Sequence, residues 1–117
     1  MIAQEILGNF SIIGSNQNES TETYKGTLNL SLDENNRIIA KWIINKNQEQ
    51  FGTGFFKNNI LVINFNYIGE EHETYFGTVV YKCLTKDILE GFWQEEFGNP
   101  KFLGCENCFR IKNDLLN

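Results

Sequence analysis

A chain of 117 residues, of which 41% are hydrophobic, provides material for one domain with one core. Its formal net charge is −5 and its lysines and arginines are not clustered, which disfavours nucleic-acid binding. No run approaches the roughly 18 apolar residues that span a bilayer, and the first residues do not resemble a secretion signal. We therefore expect a single cytoplasmic domain over residues 1–117, with no nucleic-acid or membrane partner.

The first half of the sequence predicts four β-strands, at 7–13, 22–32, 37–44 and 50–56. Polar segments rich in Asn, Asp and Glu separate them, as is typical of turns. The strand at 22–32 has the clearest period of two, which indicates a half-buried antiparallel strand. Its predicted inner face consists of Tyr24, Gly26, Leu28, Leu30 and Leu32.

The second half predicts four more strands, at 60–67, 73–84, 88–95 and 103–111. Asn58 and Asn59 predict a two-residue hairpin turn, because asparagine tolerates positive φ better than other residues with a side chain. Every connection is too short to hold a crossover helix, so consecutive strands are expected to pair as a meander.

These strands favour an all-β, eight-stranded antiparallel up-and-down (meander) barrel, because a small open sheet would leave two exposed edges. A two-sheet sandwich is the alternative. The barrel interior would be filled by side chains or hold one small ligand. Glycines inside the strands fit a barrel, since they allow sharp bends and the close approach of a neighbour's large ring. These glycines are Gly26, Gly52, Gly54, Gly77 and Gly91.

Cys105 and Cys108 have the C-x-x-C spacing of zinc and redox motifs, but in a strand this spacing places the side chains on opposite faces. A zinc site needs four ligands, and only Cys83 and His72 could complete one. We therefore expect reduced cysteines, no metal and no cofactor. His72 lies among glutamates in a predicted loop and is expected to be a solvated residue.

Charged residues of the last two strands are candidates for a polar site. Glu95 shares a face with Trp93, whereas Glu90 points the other way. In the last strand Glu106 and Arg110 share one face, and the opposite face is more apolar. Hydrophobicity alone therefore points Glu106 and Arg110 outward, while a barrel with a polar interior would point them inward. The two orientations remain open.

Gly8-Asn9-Phe10 opens the first predicted strand, and Arg110 lies in the last. These residues resemble two features of the calycin group, the lipocalin-like and avidin-like up-and-down barrels. Gly8-Asn9-Phe10 is similar to the Gly-x-Trp of lipocalins, with Phe10 in place of Trp. Arg110 matches the lipocalin arginine that packs across that ring and closes the barrel floor. The resemblance implies a ligand-binding barrel with its cavity at the open end.

The favoured function is non-catalytic binding of a small apolar or aromatic molecule in the barrel mouth. The alternative is a protein-interaction module, such as an inhibitor, immunity or anti-defence protein of bacterial or phage origin, because the chain is small, acidic and without a catalytic motif. A small hydrolase or isomerase that uses Glu95 or Glu106 is a third hypothesis. The residues expected to bind the ligand are Trp42, Phe65, Tyr67, Tyr81, Trp93, Glu95, Glu106 and Arg110.

Overall fold

The computed structural model describes residues 1–20 and 22–112, so position 21 and positions 113–117 of the predicted domain lie outside the described residues. A short 3₁₀ helix, Ala3–Ile6, precedes the first strand. No helix in these two ranges is both long and apolar enough to cross a membrane. The strands are β1 (Gly8–Ser15), β2 (Thr23–Leu32), β3 (Ile38–Ile44), β4 (Gln48–Lys57), β5 (Ile60–Ile68), β6 (Thr74–Thr85), β7 (Ile88–Glu95) and β8 (Gly104–Arg110).

The eight strands form a closed antiparallel barrel in which each strand pairs with the next along the chain. β1 also pairs with β8, with Phe10 opposite Arg110 and Ser15 opposite Cys105. Closure satisfies the hydrogen-bonding groups that an open sheet would leave at its two edges. The predicted up-and-down barrel is confirmed, and the sandwich alternative is wrong.

Alternate residues of each strand point into the barrel, as the period of two predicted. In β2, Tyr24, Leu28 and Leu30 are buried, while Lys25 and Thr27 are exposed. The inner residues of β3, β5 and β6 continue the same core. Its central members include Leu28, Leu30, Trp42, Ile63, Phe65 and Val79, with Trp93 packed partly buried against them.

The barrel has two different ends. At one end Ile6 of the 3₁₀ helix is fully buried in the core, next to the hairpins that join β2 to β3, β4 to β5 and β6 to β7. Asn58 and Asn59 form the second of these hairpins, with φ of 53° and 64°, which confirms the predicted tight turn. We call this the closed end. The loops after β1, β3, β5 and β7 surround the opposite, open end.

Strand ends differ from the sequence prediction by one or two residues, and the largest differences lie at the start of β4 and in the first 15 residues. β1 continues to Ser15, because Gly14 and Ser15 pair with β2 on one side and with β8 on the other. The prediction ended this strand at residue 13, since glycine followed by polar residues looks like the start of a loop. The 3₁₀ helix was not predicted, because four residues are too few to show a helical period.

Candidate functional site

A cavity of about 250 Å³ opens at the open end of the barrel. Inward-facing side chains of the strands form its wall and floor, and residues of the surrounding loops form its rim. All of the predicted binding residues apart from Arg110 line it, namely Trp42, Phe65, Tyr67, Tyr81, Trp93, Glu95 and Glu106.

β8 presents Glu106 to this cavity, so the inward orientation is the one that the structure adopts. The side chain is buried, with 5% of its surface exposed. Cys105 and Phe109, from the more apolar face of the same strand, are exposed instead. The hydrophobicity of β8 alone predicts the opposite orientation. It fails because other strands supply polar partners inside the barrel, and the sequence of β8 does not reveal them.

Three donors from three other strands hold the Glu106 carboxyl. The Tyr24 hydroxyl donates to Oε1 at 2.7 Å, and the Trp42 Nε1–H donates to Oε2 at 3.2 Å. The Tyr81 hydroxyl also donates to Oε2. The Trp93 Nε1–H donates to the Tyr24 oxygen at 3.0 Å. Because an indole nitrogen can only donate, the Tyr24 hydrogen must point to Glu106, and the carboxyl acts as the acceptor of the network.

Burial controls the protonation of this network. Desolvation raises the pKa of Glu106, although the hydrogen bonds from Tyr81, Tyr24 and Trp42 act in the opposite direction. Desolvation, and then the neighbouring Glu106, raise the pKa of Tyr24 and of Tyr81 above that of an ordinary phenol. Both phenols therefore keep their protons at physiological pH, and one buried carboxyl lies among neutral donors.

A second carboxyl, Glu95, lies nearer the rim. The Tyr67 hydroxyl donates to Glu95 Oε1 at 2.7 Å, and burial followed by this hydrogen bond raises the pKa of Tyr67. The Tyr67 ring lies between those of Phe65 and Tyr75, with centroids 6.5 Å and 5.1 Å away. Gln17 of the β1–β2 loop accepts a hydrogen bond from the Glu95 backbone N–H at 3.0 Å. These contacts fix the position of Glu95 at the mouth.

Rings of the cavity wall lie over glycines of the adjacent strand. A Cβ on any of these glycines would run into the ring, so the missing side chain lets each ring lie close to the sheet. The predicted close approach of a large ring is confirmed at Gly77 and Gly91, whereas Gly26, Gly52 and Gly54 approach backbone carbonyls of a neighbouring strand. The ring–glycine pairs are Tyr24 with Gly14, Phe65 with Gly77, Tyr81 with Gly91 and Trp93 with Gly104.

Arg110 lies at the closed end and does not line the cavity, which corrects its inclusion among the binding residues. Four residues separate it from Glu106, and that distance along a strand is about 13 Å. Its guanidinium lies over the Phe10 ring, 4.8 Å from the centroid, so the expected stacking is confirmed. Its N–H groups donate to the carbonyl oxygens of Glu5, Leu7 and Lys86 and to the Asp87 carboxylate, at 2.7–2.8 Å.

Tyr24 is the main residue of the site that the sequence reasoning missed. The alternation of β2 placed it on the inner face, but nothing in the sequence linked it to Glu106, which is 82 positions away. The other missed residues belong to two groups. Some are apolar residues inside strands, and the rest are polar residues of strand ends and loops, whose positions depend on loop conformation. They are Asn16, Glu22, Thr23, Ile44, Asn45, Gln48, Gln50 and Val79.

The residues considered for metal chemistry lie apart. Cys105 is exposed and Cys108 buried, on opposite faces of β8 as predicted. Burial raises the pKa of the Cys83 thiol to about 11, so this thiol is a poor nucleophile at neutral pH. His72 is an exposed turn residue with φ of 67°. Over residues 1–20 and 22–112, no three His, Cys, Asp or Glu side chains are grouped to hold a metal ion.

Comparison with known proteins gives a similarity of fold. No family model and no curated protein matches the chain. Among solved structures, the barrel is similar to EF1p2_mFAP2b bound to DFHBI, with a TM-score of 0.68. The match covers 93% of this chain and 96% of that chain at 13% sequence identity. The calycin resemblance stays a prediction, and what these comparisons establish is that the chain shares the overall fold of that ligand-bound protein.

Proposed function

We propose that this protein binds a small, partly aromatic molecule in the open end of the barrel and does not transform it. The observation that carries the proposal is a cavity with aromatic walls and one buried carboxyl at its base that is held by three hydrogen bonds. Small-molecule sites commonly combine apolar walls with a few polar groups that are held in place. The similar structure of EF1p2_mFAP2b, solved with the small molecule DFHBI bound, supports the same class of function.

The size of the cavity indicates the size of the ligand. An apolar protein cavity of about 150 Å³ can bind benzene. The cavity here measures about 250 Å³ and is open to solvent on one side, which suits a molecule of one or two rings. The rim residue Tyr67 stacks on Phe65 and is only partly buried, so it can contact such a ligand and is not one of the fully buried core residues.

Native mass spectrometry of the protein purified from its own host tests this proposal. We expect the wild-type protein to retain a small molecule that is released on denaturation. Tyr67→Ala should lower its occupancy severalfold, because one aromatic contact of the wall is lost. Phe55→Ala is the matched control, since Phe55 lies on the outer face of the neighbouring strand and is 61% exposed. Its occupancy should equal that of the wild type.

A wild-type spectrum with only the mass of the polypeptide would contradict the proposal. So would a bound molecule whose occupancy is the same in Tyr67→Ala and in the wild type.

A protein-interaction function is the second candidate, and one surface feature favours it. Phe76, Phe92 and Leu103 lie along a groove on the outer wall and are 53%, 48% and 48% exposed. Exposed aromatic residues in such a groove are typical of protein contact surfaces. A co-purifying polypeptide in the same native spectrum, without a retained small molecule, would favour this second function.

A further inference from the structure

The cavity wall carries acidic side chains without a compensating basic side chain. Glu22, Glu95 and Glu106 line the cavity, and none of the described residues around it is Lys, Arg or His. The formal net charge of −5 adds to the negative potential around this opening. Charge complementarity in this site must therefore come from what binds there.

The deep part of the cavity also offers acceptors rather than free donors. The hydroxyls and indole N–H groups of Tyr24, Tyr81, Trp42 and Trp93 all donate within the Glu106 network. The Tyr67 hydroxyl is likewise used by Glu95. An anionic ligand would therefore meet no free side-chain donor at this depth, whereas a ligand with N–H donors would meet carboxylate oxygens.

The rings add a further preference for positive charge. The Trp42 and Trp93 rings stand at 69° and 83° to the Phe65 ring, with centroids 6.1 Å and 6.3 Å from it. All three rings line the cavity. Because the indole N–H edges are held by the Glu106 network, the ring orientation is fixed. The electron-rich face of an aromatic ring attracts a cation, most strongly when the site is desolvated.

We propose that the ligand of this cavity is an organic cation, an ammonium compound that carries an aromatic or short alkyl group. Its positive charge would lie between the carboxylates of Glu106 and Glu95 and the ring faces of Trp42 and Trp93. Its apolar part would lie against Phe65 and Val79, which belong to the same wall. This inference rests on the proposed small-molecule function and specifies its ligand class.

The available acceptor positions agree with this placement. An ionised carboxylate offers about four lone-pair directions, of which the Glu106 network uses three. In the described residues, Glu95 accepts its side-chain hydrogen bond from Tyr67 through Oε1, and its Oε2 accepts none from another side chain. An ammonium group has three donors, so it can bond to more than one carboxylate oxygen.

Three probes of nearly equal shape and different charge test the inference: phenethylammonium, 2-phenylethanol and phenylacetate. Both tryptophans of the chain line the cavity, so tryptophan emission reports binding directly. We expect phenethylammonium to bind about tenfold or more tightly than 2-phenylethanol, because only the cation interacts with the carboxylates and ring faces. Phenylacetate should bind most weakly.

Charge-removing variants locate the source of this selectivity. Glu106→Gln and Glu95→Gln should each reduce the ratio of the two dissociation constants, alcohol over ammonium, severalfold. Glu106 is buried, so Glu106→Gln can also perturb folding. Glu95 lies at the rim, so Glu95→Gln tests the same charge effect without changing a buried residue. Glu90→Gln is the control, because it removes the same charge from an exposed side chain on the outer face of β7. For Glu90→Gln, the ratio of the alcohol and ammonium dissociation constants should equal that of the wild type.

The outcomes separate the two proposals. Equal or tighter binding of 2-phenylethanol or phenylacetate would overturn the cation inference and leave the small-molecule function standing. A cation preference that all three variants reduce equally would also overturn the inference, since net charge rather than the site would then explain it. If none of the three probes changes the emission of the wild-type protein at millimolar concentration, the cation inference is wrong, whereas the native mass spectrum still decides the small-molecule function.

Discussion

Arg110 of β8 links the segments that meet at the closed end of the barrel. Its guanidinium covers the Phe10 ring and bonds to carbonyl oxygens that precede β1 and that belong to the β6–β7 turn. Gly8 makes room for it, because a Cβ there would lie 2.7 Å from Nη1 and the φ of 124° disfavours any other residue. The Gly-x-Phe sequence and the distant arginine are thus parts of one structural unit.

We predict that Arg110→Lys destabilises the fold by about 2 kcal/mol or more, because an ammonium cannot keep the stacking and four separate hydrogen bonds. Chemical denaturation measures this change. Arg37→Lys is the matched control, since Arg37 is 64% exposed and pairs with Asp33 at the surface, where ion pairs contribute little. Equal denaturation midpoints for the two variants would show that Arg110 is only a surface charge. Ligand binding should be unchanged by Arg110→Lys, because the residue lies outside the cavity wall.

At the scale of strands, the pairing of rings with glycines sets the shape of the cavity. Tyr81 of β6 lies over Gly91 of β7, directly opposite in the pairing, and Tyr81 is fully buried. The same ring supplies one of the donors to Glu106. Strand register, ring position and the Glu106 network are therefore coupled, since a shift of either strand would separate the ring from the space that the glycine provides.

We predict that Gly91→Ala destabilises the protein by about 1–3 kcal/mol, as overpacking of a core usually does. The added Cβ would lie 2.5 Å from Tyr81 Cδ1 and 2.7 Å from the Val80 carbonyl oxygen, so ring and backbone must both move. Thermal unfolding measures the loss. Gly69→Ala is the control, because the atoms nearest to its Cβ would belong to the side chains of Glu73 and Tyr75 near the loop after β5, and none of these nearest atoms is backbone. Equal stability of the two variants would show that the ring–glycine contact carries no constraint.

Strand positions could be predicted from the sequence because burial on one face imposes a period of two, and this signal is local. The inner face of β8 could not be predicted in this way. Glu106 is buried because donors from β2, β3 and β6 bind its carboxyl, and these strands are distant in sequence. The positions of Trp42 and Trp93 in the cavity wall follow from the same alternation, since both lie on inward-facing positions. The hydrogen bonds from Trp42 to Glu106 and from Trp93 to Tyr24 join distant strands, so they arise only when the barrel closes, and no local pattern encodes them.

At the scale of the whole molecule, the barrel interior divides into two layers of different chemistry. Aliphatic residues such as Leu30, Ile38 and Leu61 fill the closed end, together with Phe10 and Ile6. Aromatic rings and carboxyls occupy the open end and leave the cavity between them. The side chains of the closed layer are almost fully buried, and apolar burial of this kind stabilises a domain of this size. The open layer gives up some of that burial and retains a desolvated carboxyl, which is typical of a site kept for function.

This buried carboxyl should leave its mark on the pH dependence of global stability. The titratable groups that face Glu106 are Tyr24, Tyr81 and Cys108, and burial raises the pKa of each. They stay neutral from acid to neutral pH, so Glu106 alone among these groups titrates there. Because burial raises its own pKa in the folded state, the folded protein holds this proton to higher pH than the unfolded chain does.

We therefore predict that the contribution of Glu106 to stability is fully present below the unfolded pKa of about 4.3 and is lost as pH rises through the folded pKa. Asp33 and Asp87 act with the opposite sign, since their pKa values are lowered in the folded state, so the total profile mixes both effects. Urea denaturation of the wild type and of Glu106→Gln at a series of pH values isolates the Glu106 term. The stability of the wild type relative to Glu106→Gln should fall with rising pH across this window, whereas the exposed-site variant Glu90→Gln should parallel the wild type. A difference between wild type and Glu106→Gln that stays constant with pH would show that the carboxyl does not change its proton affinity on folding, and that the cavity base is better solvated than its burial indicates.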